Sequence, residues 1–134
     1  MNTLSRGTLL TVLTTLLTAC LPFAALAQPA RAFPQNTLRD TMTFGDYPNV
    51  RLNGQIVQLS PGSRVRNQDN MIVMAATLGG SRLLVHYTLG VLGDQVGDVW
   101  ILRPEEAAIK PWPGTLEEAQ TWTFDAETMR WTRP

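Results

Sequence analysis

VRLNGQIVQL, residues 50–59, decides the fold. Apolar and polar residues alternate on both sides of Asn53-Gly54, and a period of two gives each strand an inner and an outer face. Asn and Gly tolerate the positive φ that a type I′ turn requires at both central positions, so the pair predicts a tight hairpin. LSPGSRVR, residues 59–66, follows directly. Pro61 presets φ and Gly62 suits a left-handed position, which predicts a type II turn into a further strand.

Downstream, MIVMAATLGGSRLLVHYTL, residues 71–89, predicts a second hairpin with Gly79-Gly80 at its tip and arms at 71–78 and 81–89. In the second arm Leu83, Val85, Tyr87 and Leu89 share the expected core face, while Arg82, Leu84, His86 and Thr88 share the opposite, polar one. VGDVWILR, residues 96–103, predicts a strand antiparallel to that arm. RPEEAAIK, residues 103–110, then places Pro104 at a first helical position with Glu105 and Glu106 in the first turn, where a helix N-terminus favours negative charge. In KPWPGTLEEAQ, residues 110–120, Thr115 and Glu118 have capping-box spacing, which predicts another short helical turn. TWTFDAETMRWT, residues 121–132, predicts a closing hairpin with Trp122, Phe124 and Trp131 on one face and Asp125 and Thr128 bracketing its loop.

These elements predict an all-β domain, a small antiparallel barrel or roll of SH3-like or OB-like type, with two short helical turns and a C-terminal β-hairpin. Residues 28–40, rich in amides and proline, form an extended lead-in, and residues 41–134 a single domain. The D-x-x-T loop between aromatic-bearing arms resembles the C-terminal hairpin of the immunoglobulin-binding domains of streptococcal protein G, which implies the hairpin and no binding activity. The segments LNGQIVQLSPGSRVRNQDNM, VHYTLG and DVWIL are similar to small uncharacterised exported proteins of Gram-negative bacteria. That resemblance implies an exported domain with this strand order and brings no catalytic residue with it.

Export is also written into the chain's start. Residues 1–6 carry one Arg and no acid, residues 9–26 are uncharged, and Ala25-Leu26-Ala27 is an A-x-A cleavage site, so residues 1–27 form a signal peptide. Leu17-Thr18-Ala19-Cys20 also resembles a lipobox, which would put a lipid anchor on Cys20. The apolar run continues past Cys20 where a lipoprotein turns polar, and this favours cleavage after Ala27 and a periplasmic or secreted protein. Cys20 is the single cysteine, so no disulfide forms within the chain. Arg6 leaves with the leader, so ten basic residues face eleven acidic ones and the remainder carries about −1. That balance, with export, argues against nucleic acid as a partner.

His86, the lone histidine, is the natural general base, and Asp98 the acid a small periplasmic hydrolase would pair with it. Yet Ser60, Ser63 and Ser81 sit at expected turns, and none lies in a nucleophile elbow, so no catalytic residue is expected. Metal sites want clustered His and Cys, and GDQVGD lacks calcium-loop spacing, so neither a metal nor a cofactor is expected. Arg64 and Arg66 alternate with Val65 and share a strand face. With Arg82, Tyr87 and Trp112 they are the candidate ligand-binding set, suited to a protein, a peptide or an anionic envelope component. Trp112, between Pro111 and Pro113, cannot join a ladder and is expected to plug a barrel end or to stand exposed.

Overall fold

The computed structural model describes residues 28–134. The expected signal peptide, its cleavage site and Cys20 lie outside the described residues. The strands are β1 (Leu38–Phe44), β2 (Asn49–Leu52), β3 (Gln55–Leu59), β4 (Val65–Arg66), β5 (Ile72–Val73), β6 (Arg82–Leu89) and β7 (Gln95–Ile101). Two short helices, α1 (Pro104–Ala107) and α2 (Leu116–Thr121), follow, then the hairpin β8 (Thr123–Asp125) and β9 (Arg130–Thr132).

The first seven strands form one sheet in the order β3-β2-β1-β6-β7-β4-β5, and β3 also pairs with β7, which closes five strands into a ring. Most pairings are antiparallel, as expected for a small barrel, but β7 runs parallel to both β3 and β4. β3 pairs with β7 at Leu59↔Val96 and β4 at Val65↔Val99, so consecutive strands share one edge of β7. The turn between them, closed by Ser63 N–H donating to Ser60 O at 3.0 Å, makes this possible. Gly62 has no positive φ, so the turn is not the expected type II. The Asn53-Gly54 turn keeps its expected form, with φ of +49° and +74°.

The second expected hairpin does not form. Only Ile72 and Val73 are extended, and they pair with β4; Ala75–Leu78 is a 3₁₀ turn. β6 pairs instead with β1 and β7 over its whole length. β1 begins inside the stretch read as a lead-in and provides a long partner that encloses more of β6 than a local arm would. Burying both neighbours of a central strand outweighs the local turn preference of Gly79-Gly80.

Inside the ring, Leu38, Met42, Phe44, Val50, Leu59, Val65, Val85, Tyr87, Val96, Val99 and Ile101 make a mainly aliphatic core with Phe44 and Tyr87 as its aromatic members. Leu83 and Leu89 pack against it, so the expected core face of β6 is the one observed. A second cluster sits on the outer face of β6 and β7, where Phe33, Trp100, Leu102, Trp112 and Trp131 pack together. The C-terminal hairpin, with Phe124 opposite Trp131, roofs this cluster. Both helices form where the sequence places them, and Thr115 Oγ1 accepts the Glu118 N–H at 3.2 Å.

Candidate functional site

The outer face of β6 is open at Arg82 and Leu84 but covered at His86. His86 is 0% exposed, a correction to the expected open strand face. Trp112 stacks on its ring at 4.2 Å between centroids, and the Phe33 ring meets it edge-on at 4.4 Å. Trp112 is therefore neither exposed nor plugged into a barrel end. It lies flat on the outside of the sheet, with its indole N–H donating to Thr37 O at 2.9 Å. The prolines that bar it from a ladder leave it free to cap one.

Around this aromatic layer the chain buries charge. Arg39, on β1 across from His86, donates from Nε to His86 Nε2 at 3.0 Å. A guanidinium only donates, so His86 carries its proton on Nδ1, and that N–H is buried with no acceptor among the described residues. The rest of Arg39 caps α1 by donating to the carbonyls of Glu106, Ala107 and Ile109, the kind of cation a helix C-terminus favours.

Arg31 reaches in from the N-terminal arm and grips both carboxylate oxygens of Glu106, with Nε to Oε2 at 2.8 Å and Nη2 to Oε1. Its remaining bonds go to the carbonyls of Asn67 and Ile101. Glu106 Oε1 also accepts the Arg103 N–H at 2.8 Å. Burial pushes the Glu106 carboxyl up, but the Arg31 hydrogen bonds, the Arg103 N–H and the two guanidinium charges outweigh it and hold the group below its ordinary value. Burial first, then the charges of Arg39 and Arg31, drive His86 down to about 2. The imidazole is neutral at every physiological pH. Burial, with the Asp40 charge behind it, pushes Tyr87 up to about 12.

The structure divides the sequence-predicted set. Arg64 and Arg66 do share a face and line one groove of about 740 Å³, together with Trp100, Arg31 and Arg103. The groove's acids are Asp69 and Asp98. Arg64 is 60% exposed in its side chain and stands 4.0 Å from Asp98, a solvent-screened pairing of little energetic consequence. Arg66 makes no side-chain hydrogen bond or ion pair among the described residues. Arg82 is exposed at the far end of β6, opposite Thr43, and is not in the groove. Tyr87 is inside the ring and Trp112 beneath the C-terminal hairpin, so neither lines it.

His86 and Asp98 do not meet. The imidazole is engaged by Arg39 and the carboxylate faces Arg64. Ser63 Oγ donates to Gly97 O. Among the described residues no three His, Cys, Asp or Glu side chains converge as a metal site would need, and no helix is long and apolar enough to cross a membrane.

Sequence reasoning missed Arg31, Arg39, Arg103 and Glu106. One signal was present for Glu106. It is the third residue of a helix begun by Pro104, where a carboxylate turns back to the N-cap N–H. Nothing local marks the arginines, whose partners lie from 35 to 75 residues away. Comparison with protein-family models, with curated proteins and with solved structures returns no match.

Proposed function

We propose that this protein is a non-enzymatic binding module of the bacterial envelope, exported by its leader, which holds an anionic group of its partner in the Arg64–Arg66 groove. The observation that carries the reading is the surplus of guanidinium groups there. Four arginines face two aspartates in one concavity, and Arg31 is already committed to Glu106. Arg64 and Arg66 remain available, on a strand held rigid by Val65 in the core. Guanidinium forks match carboxylate and phosphate geometry, and Trp100 supplies an apolar wall.

The test is calorimetric titration of the protein with an acidic peptide and with inorganic phosphate. Binding should weaken as ionic strength rises and should fall at least tenfold, about 1.4 kcal/mol, in the Arg64→Ala/Arg66→Ala double variant. A complex indifferent to salt and to that variant would overturn the reading. Against a hydrolytic alternative stand the Nε2 lone pair of His86, which already accepts from Arg39, and the burial that makes the imidazole a weak base.

A further inference from the structure

Beside the arginine groove lies a second cavity of about 450 Å³. The two share Gln28, Ala30, Arg31 and Arg103 as a common border. Their chemistries differ. The second is walled by Phe33, Ile109, Trp112 and Met129, and its volume falls in the range of roughly 300–1,000 Å³ typical of small-molecule sites.

Arg103 is the joint between them. It is only 6% exposed. Its Nε donates to Gln68 O at 2.6 Å and its Nη1 to Pro29 O at 3.1 Å, while Nη2 has no acceptor among the described residues. Nη2 is the part of this guanidinium that keeps contact with solvent, so it can take an anion without an internal bond being broken. The surroundings do not supply the missing anion. The one buried carboxylate nearby, Glu106, is gripped by the Arg31 guanidinium and accepts the Arg103 backbone N–H, while Arg39 reaches only its carbonyl oxygen. Glu105 also borders the cavity, but it is exposed and makes no ion pair with Arg103.

We infer that the ligand is an anionic amphiphile, whose carboxylate or phosphate head meets Arg103 Nη2 and Arg66 and whose apolar tail fills the pocket between Phe33, Ile109, Trp112 and Met129. The inference rests on the arginine-groove reading and adds the tail. A head alone would leave the apolar cavity to water, and a tail alone would leave Arg66 and Arg103 Nη2 without an anion. The N-terminal arm, pinned by Arg31 and Phe33, supplies most of the border that the two cavities share.

The experiment is titration of the described chain, residues 28–134 at minimum, with decanoate, decyl phosphate, acetate and decanol, read by calorimetry and by tryptophan fluorescence. Burying even two methylene groups is worth about tenfold in affinity, so decanoate or decyl phosphate should bind at least that much more tightly than acetate, and the anionic head should make them bind more tightly than decanol. Whichever headed probe binds better identifies the head. Ile109→Trp, which fills only the apolar cavity, should reduce decanoate to the level of acetate; Met129→Trp serves if that variant melts early. Arg64→Ala/Arg66→Ala should weaken decanoate and leave decanol unchanged. Equal binding of acetate and decanoate would overturn the tail while leaving the anion site standing. Equal binding of decanol and decanoate, unaltered by the arginine variant, would overturn the head and with it the groove reading. No binding of any probe at millimolar concentration would overturn both.

Discussion

Val85 and His86 are neighbours on one strand, and each is 0% exposed. Yet they belong to two different kinds of interior. Val85 faces the ring, where aliphatic side chains pack without polar partners. His86 faces an outer layer of aromatic rings, three arginines and a glutamate, closed by the N-terminal arm and the C-terminal hairpin. The inner core needs only apolar volume. The outer one needs particular donors and acceptors in place, and Phe33 and Trp131, which help close it, come from segments distant in sequence. The middle of a strand that alternates apolar with polar residues can therefore be buried on both faces when distant segments return to cover it.

The sharpest way to break that contrast is at Glu106. Glu106→Ala leaves Arg31 and Arg103 without their shared carboxylate, and removing one partner of a buried pair costs about 3–5 kcal/mol; denaturant unfolding measures it, and a loss below about 1 kcal/mol would mean water satisfies the arginines. Next, Trp112→Ala should cost about 3–5 kcal/mol and the inner-core Met42→Ala about 2–5 kcal/mol. Near-equality would establish that the outer layer is a true second core rather than a decorated surface.

Acid separates the two interiors further. The unfolded chain takes up a proton at His86 near 6.5, whereas the folded chain resists until about 2. The stability that His86 contributes is thus complete above pH 6.5 and drains as pH falls, by up to about 1.4 kcal/mol per unit. Glu106, held below its ordinary value, acts in the same direction below pH 4.5. Urea unfolding at successive pH values should show this slope between pH 6.5 and 4.5, and His86→Gln, which retains an acceptor for Arg39, should flatten it. A wild-type profile flat over that span would contradict the buried neutral imidazole.

Smaller effects are expected on the ring itself. Gly54→Ala, at φ +74° with open space around it, should cost about 1–2 kcal/mol through backbone strain alone, read as a shift in midpoint. Arg64→Ala should change stability by less than about 0.5 kcal/mol.

How much was legible follows from range. Asn53-Gly54, Pro104 with its glutamates, and Asp125 with Thr128 each encode structure within a few residues, and all appear where expected. Gly79-Gly80 carried the same kind of signal and misled, because β1 competes for β6 and wins with a longer ladder. For the site, Arg64 and Arg66 share a face by strand geometry alone, so their common groove was readable. Arg82 and Tyr87 lie on another strand, one exposed at its far end and one inside the ring, and strand geometry near Arg64 says nothing of them.

By itself, then, the sequence determined the β class, the Asn-Gly hairpin, the two helical turns, the aromatic closing hairpin and the inner face of β6. Periodicity and turn chemistry act over a few residues and need no partner. Only the tertiary structure decided that the opposite face of β6 is interior at His86, that Arg31 and Glu106 meet across 75 residues, and that a polar groove adjoins an apolar pocket at Arg103. Which side chains share a buried volume depends on which distant segments return to cover a strand, and alternation along that strand carries no record of them.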